Sequence, residues 1–124
     1  MVAANLNIEE GNRMLRNGYR QISISHYNKA LTLVKIKKSN FVKIESETRE
    51  LMIEIQLRGG LNLIHTMLQL EDWKKAKTHG ELLLKTHPDN PKLLYRLAKA
   101  NLGLKLYDKA LGYIKHSIQL EPKN

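Results

Sequence analysis

The chain of 124 residues contains no cysteine, which excludes a disulfide framework and thiolate chemistry. No apolar run approaches the ~18–20 residues that a membrane span needs. The opening residues, MVAANLNIEEGNR, lack the basic and apolar regions of a signal peptide. These absences predict a protein of the cytoplasm or the nucleus, with no membrane partner.

Proline is also scarce, and all three prolines stand at the edge of a helical pattern. Pro88 is expected to end one helix, Asn90-Pro91 to begin the next, and Pro122 to follow the last. No stretch alternates polar and apolar residues between turn signals, as a strand would. The fold class is therefore predicted to be all-α.

Catalytic and metal-binding signatures are missing as well. The sequence has no glycine-rich phosphate loop and no nucleophile motif. Its five histidines do not form a pattern that suits a metal ion; they are His26, His65, His79, His87 and His116. We therefore expect no enzyme activity in this chain, no metal and no cofactor.

Positive charge is in excess, since 21 Lys and Arg against 12 Asp and Glu give a net charge of +9. A field of this sign attracts acidic partners. Charge alone does not choose among nucleic acid, an anionic membrane and an acidic peptide. The basic residues are dispersed along the chain, however, and no aromatic-plus-basic platform accompanies them, which argues against nucleic acid.

Two segments of the chain match at a shift of 34 residues. LNLIHTMLQLEDWKKAKTHGELLLKTHPDN aligns with YRLAKANLGLKLYDKALGYIKHSIQLEPKN. This alignment pairs Leu63 with Leu97, Trp73 with Tyr107, Ala76 with Ala110, Leu84 with Ile118, and Pro88 with Pro122. A helix–turn–helix period of 34 residues is typical of tetratricopeptide repeats.

The segment EEGNRMLRNGYRQISISHYNKALTLV is a third copy, separated from the next by 53 residues rather than 34. The extra residues are expected to lengthen the second helix of repeat one and the first helix of repeat two, with a break near residues 38–40. The prediction is one domain, residues 1–124, forming a right-handed superhelix of three hairpins at about 5–37, 48–90 and 91–124. Gly59-Gly60 falls inside a predicted helix and indicates either close helix packing or a kink.

Repeat arrays usually end in a capping helix with a polar outer face. Here the third repeat ends at LEPKN, where that helix would begin. We expect a fragment that lacks its capping helix, with apolar residues such as Ile114 and Ile118 partly uncovered. Another partner, or self-association through the last helix, would then cover this end.

The first helix of each hairpin is expected to line the concave face of such an array. Asn12, Asn62, Lys92 and Arg96 project from these helices, and Asn62 and Arg96 occupy the same position in successive repeats. Two amides and two cations form a set that suits a carboxylate, because arginine offers paired donors, lysine a point charge and asparagine a neutral donor.

The whole chain resembles the tetratricopeptide domains of large immunophilins (FKBP-type peptidyl-prolyl isomerases) and of aryl-hydrocarbon-receptor-interacting proteins. The resemblance is carried by EEGNRMLRNGY, by LNLIHTMLQLEDWKKA and by NPKLLYRLAKANLGLKLYDKAL. It implies a co-chaperone module that binds the Glu-Glu-Val-Asp terminus of a seventy- or ninety-kilodalton heat-shock chaperone. A parent protein could carry a separate isomerase domain.

This family holds the terminus with a five-residue carboxylate clamp, of which the resemblance implies four members, Asn12, Asn62, Lys92 and Arg96. The fifth is a lysine, and this sequence has Ile8 in its place. A charge-assisted bond contributes on the order of 1.5–3 kcal/mol, so the departure is expected to weaken binding. Arg13 or Arg16 could substitute, although Arg13 lies one residue round the helix from Asn12.

Lys92 and Arg96 are also compatible with inherited surface charge on a scaffold that binds a different, non-chaperone partner. The carboxylate-clamp interpretation predicts that affinity for the partner depends on Arg96. The scaffold interpretation predicts that affinity depends on the last helix, near Ile114 and Ile118.

Overall fold

A computed structural model describes residues 2–38 and 46–121. Within these ranges the chain forms six helices and no strand, which confirms the all-α prediction. None of the described helices combines the length and the apolar character that crossing a lipid bilayer requires. The helices are α1 (Val2–Arg16), α2 (Arg20–Lys38), α3 (Ser46–Gln69), α4 (Trp73–Leu84), α5 (Pro91–Gly103) and α6 (Tyr107–Leu120).

Two of these helices are longer than the rest. α2 has 19 residues and α3 has 24, whereas the others have between 12 and 15. The predicted break near residues 38–40 begins where α2 ends, at Lys38, and its remainder lies outside the described residues. The chain divides into two compact units, residues 1–66 and residues 67–124, with the boundary inside α3.

In the first unit, α1 and α2 pack as a hairpin. Gly18 holds a left-handed φ of 84° in the turn between them, a conformation that favours glycine. Gly11 lies directly on the ring of Tyr27, because a Cβ added there would be 2.6 Å from Cε1. The buried apolar side chains that form this core are Ala4, Ile8, Tyr27, Ala30, Val34, Met52, Ile55, Leu61, Leu63 and Ile64.

α3 continues unbroken through Gly59-Gly60. A Cβ added at Gly59 would lie 3.4 Å from Cδ2 of Leu31 and 3.6 Å from Cδ1 of Ile8. Gly59 therefore sits in ordinary contact with both α2 and α1, which supports close helix packing rather than a kink. Arg58, one residue earlier, donates to Oδ1 of Asn5 on α1.

In the second unit, α5 packs against both α4 and α6. α5 begins as predicted, because Oδ1 of Asn90 accepts the backbone N–H of Leu93 at 3.0 Å and Pro91 opens the helix. The core of this unit is built from Met67, Leu68, Ala76, Leu83, Leu93, Leu94, Leu97, Ala98, Ala100 and Ala110.

The end of α4 differs from the prediction. The helix ends at Leu84, four residues before Pro88. Pro88 disfavours the helical region only at His87, the residue directly before it, so the helix has already ended where the proline acts. The carbonyl oxygen of Leu83 accepts the backbone N–H groups of Thr86 and His87, which closes the last turn.

Candidate functional site

Two of the predicted site residues meet in the first unit. Nδ2 of Asn62, on α3, donates to Oδ1 of Asn12, on α1, at 2.9 Å. Both side chains are half-buried, so the pair is anchored in the unit and still reaches solvent. Each amide carries two N–H donors. The pair therefore retains donors for an acceptor group on a ligand.

A third side chain joins this pair. The hydroxyl of Tyr27, on α2, donates to the same Oδ1 of Asn12 at 2.5 Å. This bond was not predicted from the sequence. Tyr27 lies 15 positions from Asn12, and Asn62 lies 50 positions from Asn12. The three residues are on different helices, so no spacing within one helix could have indicated the contact.

The two predicted cations lie in the second unit, one turn apart on α5. Lys92 is exposed, whereas Arg96 is half-buried. Arg96 lies next to the buried face of α5, whose apolar side chains belong to the core. Burial lowers the pKa of the Arg96 guanidinium from its ordinary value. A partly desolvated cation gains more from an anionic neighbour than a fully hydrated one does.

The structure also shows what occupies the position of the missing lysine. Ile8 is 1% exposed and packs inside the first unit, so this position is part of the core rather than part of a ligand surface. Arg13 is engaged elsewhere, in an ion pair with Glu10 on the exposed side of α1. Arg16 is exposed one turn beyond Asn12.

A second surface of interest lies on α5 and α6. Tyr95, Ile114 and Ile118 are 50%, 36% and 56% exposed and line a groove of about 460 Å³, bordered by Lys92 and Glu121. Ile114 and Ile118 are thus uncovered within the described chain, as the sequence predicted.

The internal repeat explains why this surface is apolar. On α4, Trp73 and Gly80 are in contact with α5, at Gly103 and at Leu97 respectively. The residues 34 positions later on α6 are Tyr107 and Ile114, and both are exposed. α6 therefore presents to solvent the face that α4 uses to pack against a helix.

The fold of this chain is similar to that of solved structures. The chain is similar to the C-terminal TPR-containing domain of a putative FK506-binding protein from Plasmodium falciparum. The TM-score is 0.86 at 24% identity, over 98% of this chain and 79% of that chain. The fold is that of a tetratricopeptide-repeat (TPR) domain.

Two further TPR structures are similar over nearly the whole chain. The first TPR domain of human RPAP3 gives a TM-score of 0.76 at 17% identity, covering 98% of this chain and 81% of that chain. The Arabidopsis OM64 TPR domain gives 0.76 at 19% identity, covering 100% and 87%. No protein-family model matches the sequence. At these identities the likeness is one of fold, and the predicted TPR fold is confirmed.

Proposed function

We propose that this TPR domain is a peptide-binding co-chaperone or adaptor module for the acidic C-terminus of a heat-shock chaperone of the seventy- or ninety-kilodalton class. The observation that carries the proposal is the hydrogen bond between Asn62 and Asn12, because it ties together two polar side chains that would otherwise be unrelated surface residues. In this proposal both amides donate to carboxylate oxygens of the bound peptide.

Lys92 and Arg96 are proposed to supply the positive charge. They are one helical turn apart on α5, and the partial burial of Arg96 makes an anion a favourable partner for it. Arginine can offer two parallel donors to one carboxylate, and lysine adds a point charge. The net charge of +9 also favours the approach of an acidic peptide.

The first experiment is a calorimetric titration of the domain with a short peptide ending in Glu-Glu-Val-Asp and with the same peptide as its C-terminal amide. We expect the free acid to bind about tenfold or more tightly than the amide, because the amide lacks the terminal negative charge. Raising the salt concentration should weaken binding. Equal binding of both peptides, or no binding of either, would contradict the proposal.

Substitutions then assign the contacts. Arg96→Ala and Asn62→Ala are each expected to weaken binding of the free acid by about tenfold or more, with the helical content by circular dichroism unchanged. Lys99→Ala is the matched control for Arg96. Lys99 is a cation on the same helix, but its Nζ lies 4.9 Å from the centre of the Tyr95 ring and it is not part of the proposed site.

A second candidate function is supported by the groove on α5 and α6. There the domain would be a scaffold for a different, non-chaperone partner, which would cover Tyr95, Ile114 and Ile118. In that case Ile114→Asp and Ile118→Asp abolish binding of the partner, whereas Arg96→Ala does not. Self-association through this face would appear in sedimentation as a dimer that Ile118→Asp converts to a monomer.

A further inference from the structure

The side chain of Tyr27 links the core of the first unit to the candidate site. It is fully buried, with its ring against Gly11, and its hydroxyl bonds to a residue that reaches the solvent. A buried tyrosine hydroxyl requires a hydrogen-bond partner. Here the partner is Oδ1 of Asn12 at 2.5 Å, so the core of the hairpin is connected directly to the candidate site.

The carbonyl oxygen of Asn12 accepts two bonds, from Tyr27 and from Asn62 at 2.9 Å. An amide oxygen has two lone pairs, and both are used. Rotating the amide by 180° would place its NH2 group against the Asn62 donor and break that bond, and it would require the Tyr27 hydroxyl to accept instead of donate. The two bonds therefore leave Nδ2 of Asn12 as the group that can meet a ligand.

We propose that Tyr27 is a positioning residue, which together with Asn62 holds the Asn12 amide so that its NH2 group faces the ligand and the site selects a hydrogen-bond acceptor. The inference rests on the proposed function for its ligand, a peptide carboxylate. It matters more in this chain than in one with the full clamp, because Ile8 is buried and provides no cation next to Asn12.

Tyr27 remains a donor under physiological conditions. Burial raises the pKa of its hydroxyl above the ordinary value of 10.0, so the proton is retained at neutral pH. Tyr27→Phe removes only the hydroxyl and leaves the ring on Gly11. Asn12 then keeps only the Asn62 donor. Its amide therefore turns its oxygen toward a ligand carboxylate, where it would be repelled, more readily than with both donors in place.

The binding test compares the free-acid and C-terminal amide peptides on Tyr27→Phe. We expect the preference for the free acid to fall by roughly five- to tenfold, through weaker binding of the free acid alone. Tyr113→Phe is the matched control, because Tyr113 is a half-buried tyrosine on α6, outside the site, and it should leave the preference unchanged. An unchanged preference in Tyr27→Phe would overturn the inference.

A double-mutant cycle separates positioning from packing. If Tyr27 acts through Asn12, then Tyr27→Phe has no further effect on affinity once Asn12→Ala is in place. An equal loss of affinity in both backgrounds would mean that the hydroxyl acts through the stability of the hairpin, and the positioning role would be rejected.

A spectroscopic measurement on the ligand-free domain tests the role of Tyr27 independently of the proposed function. In ¹⁵N–¹H spectra of the free domain, Tyr27→Phe is expected to shift the side-chain NH2 signals of Asn12 and Asn62 and to leave those of Asn28 and Asn101 in place. If neither peptide binds, the proposed function fails while these signals still decide the role of Tyr27. Unchanged Asn12 signals would overturn the positioning role of Tyr27.

A second measurement applies if Tyr27→Phe does not fold. The unsubstituted domain is then expected to show a slowly exchanging Tyr27 hydroxyl proton, and the absence of that signal would also overturn the positioning role.

Discussion

Glu71 and Lys105 stand 34 positions apart, and both hold a left-handed backbone, with φ of 58° and 63°. Each closes a tight turn by donating its backbone N–H to the residue three before it, Leu68 and Leu102 respectively, at 3.0 Å. Gly18 makes the same bond to Leu15, also at 3.0 Å, with φ of 84°. The turn geometry is thus repeated three times, but only the first copy has the residue that suits it.

Glycine at the other two turns should therefore stabilise the domain. A side chain with a Cβ costs on the order of 1 kcal/mol in the left-handed region. We expect Glu71→Gly and Lys105→Gly each to raise the free energy of unfolding by about 0.5–1 kcal/mol, measured by urea denaturation. Glu71→Ala and Lys105→Ala are the controls, since alanine keeps the Cβ and should give no such gain.

Two helical glycines are expected to respond in opposite ways to alanine. A Cβ at Gly103 would lie 2.2 Å from Cδ2 of Trp73, whereas nothing lies within 4 Å of one at Gly112. Gly103→Ala should lower the free energy of unfolding by about 1–3 kcal/mol through overpacking. Gly112→Ala should raise it by about 0.5–1 kcal/mol, because alanine is the better helix former. Similar effects at the two sites in thermal melts would refute this contrast.

Asn101 is a buried polar residue at a position where the preceding repeat has Met67. Its Nδ2 donates to the carbonyl oxygen of Leu97 at 2.8 Å, but its Oδ1 has no partner among the described residues. A buried acceptor without a partner costs free energy. Asn101→Met is expected to raise the free energy of unfolding by about 1–2 kcal/mol in urea denaturation. A loss of stability would contradict this prediction.

His79 should make stability depend on pH. Burial, and to a lesser extent Lys75, lowers the pKa of His79 in the folded chain below its ordinary value of 6.5. The unfolded chain therefore binds a proton first as the pH falls, and stability decreases below about pH 6.5 until the folded pKa is passed. We expect this decrease to be smaller in His79→Gln when thermal midpoints are compared from pH 8 to pH 5. Parallel profiles for the two proteins would rule out His79 as the cause.

Replacing Ile8 by lysine, the residue that the resemblance implies at this position, is expected to destabilise the domain. Its side chain is enclosed by the first unit, and its Cδ1 lies close to Gly59. Ile8→Lys should lower the free energy of unfolding by roughly 2–4 kcal/mol, because an ammonium group would have to leave the core or lose its hydration. Ile8→Met, which conserves volume, is the control and should cost under about 1.5 kcal/mol.

The helices of the second unit were predictable because the 34-residue repeat indicated a helical hairpin in each copy. Within α5 the apolar residues fall on one face, and Leu93, Leu94, Leu97 and Ala98 are all buried. The start of α5 was predictable because Asn90 and Pro91 act locally. The left-handed turns at Glu71 and Lys105 were not, since the loop connection imposes that geometry against the preference of the residue.

The candidate site was predictable only in part. Asn12 and Asn62 were expected on the first helices of their hairpins, and the structure brings them into hydrogen-bond contact. The burial of Ile8 and the bond from Tyr27 depend on how α1, α2 and α3 pack together, which no spacing along one helix encodes.

The contact between Trp73 and Gly103 also gives the second unit an intrinsic fluorescence probe. Trp73 is the only tryptophan in the chain, and its indole lies on the backbone where α5 ends. Its emission therefore reports the separation of α4 from α5, while the first unit, which holds tyrosines and no tryptophan, is silent at the same wavelength. Comparing the tryptophan transition with the loss of helical ellipticity would reveal whether the two units unfold together or in sequence.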